Sequence, residues 1–148
     1  MIILETTLST PFDLSKIEEA ANAALEHEAA DGDLTLVFTT DEQLHQLNRE
    51  YLGVDAPTDV LSFPAAEKDP DTGHIYLGDI LISVPRTEIQ ARGAGHPVAD
   101  EACLLVIHGV LHLLGHDHAK PKEKAKMWKA QAEILEKLGL GHVKVNEK

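Results

Sequence analysis

Apolar and polar residues follow two periods along the chain, and the change from one to the other marks out the elements. MIILETTL (1–8) reads as an opening strand. In STPFDLSKIEEAANAALEHEAA (9–30), Ile17, Ala20, Ala21, Ala24 and Leu25 recur at helical spacing and give a helix one apolar face. Asp31-Gly32-Asp33 is a turn, and LTLVFT (34–39) is an alternating, β-rich second strand. Thr40 with Gln43 has the spacing of a capping box, which predicts a helix over DEQLHQLNREYL ending near Gly53.

APTDVLSFP (56–64) reads as a short strand bounded by prolines, and EKDPDTGH as a polar loop. IYLGDILISV (75–84) is apolar nearly throughout, as a central strand should be, and Pro85 stops it. A short helix around TEIQAR follows, before Gly93, Gly95 and Pro97 break the chain. A long apolar helix then starts near Val98, with Asp100 and Glu101 in its favourable first turn, and Gly115 should end it. After a turn at HDHAKP, the helix KEKAKMWKAQAEILEKL runs to Gly139. Strands and helices are mixed, so the pattern predicts an α+β or α/β sheet covered by helices.

The apolar helix carries an anomaly. HGVLHLLGHDH (108–118) places four of the nine histidines among core-forming leucine and valine. Each imidazole has two ring nitrogens to satisfy, and a shared metal is the simplest partner for several at once. His108 and His112, four apart, stack on one helix face, and the turn at Gly115 returns His118 as a third ligand. The resulting H-x3-H-x5-H leaves a fourth tetrahedral position for water. Such a site lowers the pKa of bound water to about 7 and so makes the zinc-bound water the catalytic group. His116 is the extra histidine, read as facing solvent or supporting a ligand from behind. The same spacing resembles the zinc helix of metzincin peptidases, but the glutamate that serves them as general base is replaced by Gly109.

Composition narrows the setting. At 148 residues and 43% hydrophobic the chain fits a single domain, 1–148. The single cysteine, Cys103, lies in the apolar run ACLLVI and reads as a buried small residue. No basic leader and no apolar stretch near the roughly 18 residues of a bilayer span is seen, so the expectation is a cytoplasmic protein without a membrane partner. A net charge of −12 argues against non-specific nucleic-acid binding, DNA included. The charge is uneven: residues 1–118 carry 5 Lys/Arg against 21 Asp/Glu, and residues 119–148 carry 8 Lys against 4 Glu. The basic end follows the histidine cluster directly, either as a solvated helix face or as a phosphate-contacting rim.

Three segments, HGVLHLLGHDH (108–118), PTDVLSFP (57–64) and LGDILIS (77–83), with LNREYLGVD (47–55) as a weaker fourth, resemble the YbeY family of zinc-dependent endoribonucleases, the rRNA maturation factors. The resemblance implies a small α+β fold, a mixed four-stranded sheet with helices around it, about five, and a metal site at the end of a central helix. It also implies one Zn2+ on His108, His112 and His118, hydrolysis of single-stranded RNA, and work in small-subunit (16S) rRNA 3′-end maturation and ribosome quality control. The partners it implies are ribosomal RNA and the small ribosomal subunit with its proteins.

The chain departs from that family twice. Where the family usually has an arginine after the aromatic residue, Leu52 follows Tyr51, so Lys120, Lys122 and Arg49 become candidates for the phosphate contact. The family's usual tyrosine before the final Asp-His is His116. Asp117 is a candidate for orienting a ligand imidazole or taking a proton from water, although capping a turn is the commoner role for such a residue. Asp59 and Ser62 are either polar groups of the site or strand-end hydrogen bonders, and Asp79 reads as a paired structural carboxylate. Two further readings stand beside the nuclease: a ribosome-associated module stapled by zinc without turnover, and the peptidase.

Overall fold

A computed structural model describes residues 1–143. Nine elements follow in the order β1 (Ile2–Thr6), α1 (Leu14–His27), β2 (Asp33–Thr39), α2 (Asp41–Leu52), β3 (Val60–Lys68), β4 (Ile75–Ser83), α3 (Val84–Ala94), α4 (Val98–Leu113) and α5 (Pro121–Lys137). The strands form one mixed sheet in the order β1-β2-β4-β3. β1 and β2, and β2 and β4, run parallel, while β3 runs antiparallel to β4. The expected α+β architecture with four strands and five helices is therefore observed. Lys144 and Lys148, counted in the basic end, lie outside the described residues.

The caps follow the local chemistry. Asp13 Oδ1 accepts from Ser15 N at 2.9 Å to start α1, and Thr40 Oγ1 accepts from Gln43 N at 3.1 Å to start α2. Gly53 ends α2 in the left-handed region at φ 70°. Two boundaries differ from the sequence pattern. Pro85 does not simply stop a strand: it lies in the first turn of α3, where its missing N–H has no intrahelical partner to lose, and Ser83 caps that helix by accepting from Arg86 N. β3 runs on past Pro64 to Lys68, because it is an edge strand and its ladder shifts register between Pro64 and Glu67.

α4 is the centre of the molecule. Most of its side chains are buried, because it packs against β3 and β4 on one side and against α1 and α5 on the other. Its approach to the sheet is set by Gly109, where a Cβ would come 2.7 Å from Ile80 Cγ2. At the same point Ser62 Oγ donates to the Gly109 carbonyl at 3.2 Å, which fixes the helix against β3. Cys103 is buried as expected, and burial pushes its thiol up to about 11, so it is no nucleophile. Among the described residues no helix is long and apolar enough to cross a membrane.

Candidate metal centre

The last turns of α4 carry His108 and His112 one above the other, with ring centroids 4.7 Å apart. Gly115 at φ 98° reverses the chain, and His118 comes back to 5.2 Å from the His112 ring and 5.5 Å from the His108 ring. Each histidine offers a ring nitrogen, and these nitrogens lie within 4.8 Å of one another. Tetrahedral bonds of about 2.0–2.1 Å bring ligand nitrogens to about 3.3 Å, a closure that small side-chain rotations supply. His118 is the exposed member of the trio and the freest to make it.

The protonation states suit ligation. Burial drives His108 down to about 4, outweighing the opposing hydrogen bond to Gln131, and burial likewise lowers His112, aided by the neighbouring His118. Both imidazoles are thus neutral at neutral pH, the state in which they bind metals. His108 Nδ1 lies 2.7 Å from Gln131 Oε1, which can only accept, so Nδ1 carries the proton and Nε2 keeps its lone pair. An all-imidazole set in this arrangement fits a metal ion.

The trio lines a cavity of about 410 Å³. Gln131 and Trp128 stand beside the histidines, with the Trp128 ring edge-on to His108 and His118 at 6.0 and 5.7 Å. Among the described residues, the buried Trp128 Nε1 and Gln131 Nε2 have no hydrogen-bond partner. Thr58, Asp59, Gln90 and Glu101 also line the cavity, the last bonded to His96 Nε2 at 2.6 Å.

The other sequence candidates divide clearly. Asp59 lines the cavity, accepting from Val60 N at 2.8 Å and Gln90 Nε2 at 3.1 Å, and Ser62 lines it while holding α4. Leu52 also reaches the wall, 58% exposed. Arg49, Lys120 and Lys122 are exposed and do not line the cavity, nor does Lys124, whose Nζ lies 5.5 Å from the ring centroid of the cavity-lining Trp128. Asp117 is exposed and accepts from the backbone N of the next residue, His118, at 2.7 Å. Asp79 is paired, accepting from the Tyr76 hydroxyl. Gly109, the place of a peptidase base, faces Ile80 and the sheet, so a glutamate there has no path to the histidines. Gln131 and Trp128 were missed by motif reading. A glutamine among Met127, Ala130, Ile134 and Leu135 on the buried face of α5 was the available signal.

Fold and donor set define a class: an α+β protein with a cavity-lining histidine trio that fits a metal ion. A family model described as endoribonuclease YbeY matches residues 5–139. An endoribonuclease YbeY of Moorella thermoacetica is 45% identical over 143 residues, covering 92% of this chain and 89% of its own. One of Geobacillus kaustophilus is 39% identical, covering 92% and 93%, and one of Shouchella clausii is 45% identical, covering 74% of each chain. A solution structure of a Thermotoga maritima protein matches with a TM-score of 0.60 and 25% identity, over 100% of this chain and 99% of that one. The chain belongs to the YbeY endoribonuclease family, and is a hydrolase that cleaves RNA.

Proposed function

We propose that residues 1–148 form one zinc-dependent endoribonuclease domain acting in the cytoplasm on single-stranded RNA, in 3′-end maturation of 16S rRNA and in ribosome quality control. Its partners in this reading are ribosomal RNA and the small ribosomal subunit with its proteins. The observation that carries the reading is the convergence of His108, His112 and His118 at one end of the cavity, with two of them held neutral by burial. These three residues hold the ion. When bound, zinc supplies Lewis acidity toward a phosphoryl oxygen and activates water near neutral pH.

The remaining chemistry belongs to the chain. Gln131 fixes the His108 tautomer, leaving the Nε2 lone pair as the one that would bind an ion. Trp128 Nε1 and Gln131 Nε2, two buried donors without acceptors among the described residues, suit an oxygen acceptor beside the histidines. Lys124 adds positive charge over the Trp128 ring. Asp59 and Glu101 also line the cavity and add negative charge, which disfavours phosphate beside them.

The test is cleavage of a single-stranded RNA bearing a ribosomal 3′ precursor end, by wild type and by His112→Ala purified identically. Cleavage by wild type alone supports the reading. Absence of cleavage by both, with zinc bound to wild type, returns the chain to a zinc-stapled binding role. Mapping the product ends separates attack by water from attack by the 2′-hydroxyl, which leaves a cyclic phosphate and spares DNA.

A further inference from the structure

His118 is held differently from its two partners. His108 and His112 sit on a buried helix, whereas His118 is exposed in the turn between α4 and α5. The position of that turn therefore decides whether the third nitrogen meets the other two. Its own backbone gives Gly115 N to His112 O at 3.1 Å and His116 N to Leu111 O at 2.9 Å, both ties to the end of α4 itself. Asp117 bonds within the turn.

Beyond the ring contact of His118 with Trp128, the turn is hydrogen-bonded to a different helix through the side chain of His116, 8% exposed, whose Nε2 is hydrogen-bonded to Glu28 Oε1 just beyond α1. The second oxygen of Glu28 accepts from His27 Nδ1 at 2.8 Å, and His27 Nε2 lies 3.3 Å from Glu133 Oε2 on α5. Four side chains thus alternate carboxylate and imidazole across α1, α5 and the turn. Burial works against the charge on Glu28, but the hydrogen bonds from His116 and His27 outweigh it and hold the carboxyl below its usual range.

We infer that Glu28 and His116 are positioning residues of the metal centre, their bond anchoring the turn to α1 and keeping His118 within reach of the ion. This rests on the reading of His108, His112 and His118 as the ligands. Groups that orient ligands from outside are worth about 10–100-fold in metal affinity. The present pair acts one step further out, through the backbone of a two-residue segment, and nothing in the ligand set itself changes.

The experiment measures zinc affinity of the full chain by competition with a chromophoric chelator, alongside the thermal midpoint of the metal-free protein. Glu28→Ala and His116→Ala should each bind zinc about tenfold more weakly. The double variant should be no weaker than either single one, because both remove the same bond. His116→Gln, whose amide N–H can replace Nε2–H, should bind within about threefold of wild type on the same reasoning. Wild-type affinity in His116→Ala, with a lowered metal-free midpoint, overturns the inference and leaves the bond a purely structural one. His118→Ala separates the two levels: if it too binds zinc as wild type does, the three-histidine reading itself fails. Should Glu28→Ala not fold, the comparison of His116→Ala with His116→Gln decides alone.

Discussion

Gln131→Met isolates the support behind His108 with little change of shape. Gln131 is fully buried, and its Oε1 takes the His108 Nδ1 proton at 2.7 Å, while its Nε2 has no partner among the described residues. Methionine keeps the volume and removes both groups. Stranding the His108 N–H costs about 1–3 kcal/mol, but deleting the orphaned amide N–H returns a similar amount, so the net change is within about 1 kcal/mol. For a chain of this size that is a shift of about 2–4 °C at most. Zinc binding has no such offset, since the tautomer that presents Nε2 is no longer enforced, and affinity should fall about 10–100-fold. Thermal unfolding of the metal-free protein and chelator competition read the two effects separately. A large loss of stability with unchanged zinc affinity would refute the reasoning, and would make Gln131 a packing residue.

Gly109→Ala should destabilise the fold by about 1 kcal/mol: crowding Ile80 costs about 1–3 kcal/mol, and the better helix propensity of alanine returns about 1 kcal/mol. Denaturant unfolding checks it, and a stabilised variant would contradict the contact of 2.7 Å. Metal-free protein should lose stability as pH falls from 6.5 to about 4, because the unfolded His108 takes up a proton through that range while the buried one does not. The His108 contribution is about 3 kcal/mol at most, and urea midpoints against pH should show a shallower fall in His108→Gln. Leu52→Arg places a cation on an exposed part of the cavity wall. It should tighten RNA binding and steepen the salt dependence by about 0.7 in slope without altering the melting point; equal binding at all salt concentrations would remove that wall from the RNA path.

Much of this was legible in the chain because it depends on local chemistry. Apolar periodicity together with turn formers placed the nine described elements, and α4 betrayed its central position by being apolar on every side. The histidine trio could be read because two of its members share a helix face and the third follows one turn later. Sheet order could not be read from periodicity, which is blind to neighbours; the family resemblance implied a mixed four-stranded sheet, and its order is seen only in the folded chain. Pro64 and Pro85 misled for a related reason: proline ends a central strand, but an edge strand and a first helical turn both accommodate it.

Groups that act across the sequence were the hardest to see. Glu28 and His116 are 88 residues apart and meet only in the folded chain, and Gln131 reaches His108 from a different helix. The net charge of −12 pointed away from RNA because it sums over the whole surface, whereas recognition depends on the groups around one cavity. There the histidine trio, Trp128 and Gln131 line the cavity, with Lys124 against the Trp128 ring.

The most direct test titrates zinc into metal-free protein and follows the rate of single-stranded RNA cleavage against bound metal per chain. The rate should start at zero, rise linearly and level off at about one zinc per chain, the stoichiometry of a single three-histidine site, and His112→Ala should stay at zero throughout. Full activity in metal-free protein, or undiminished activity in His112→Ala, would contradict the account.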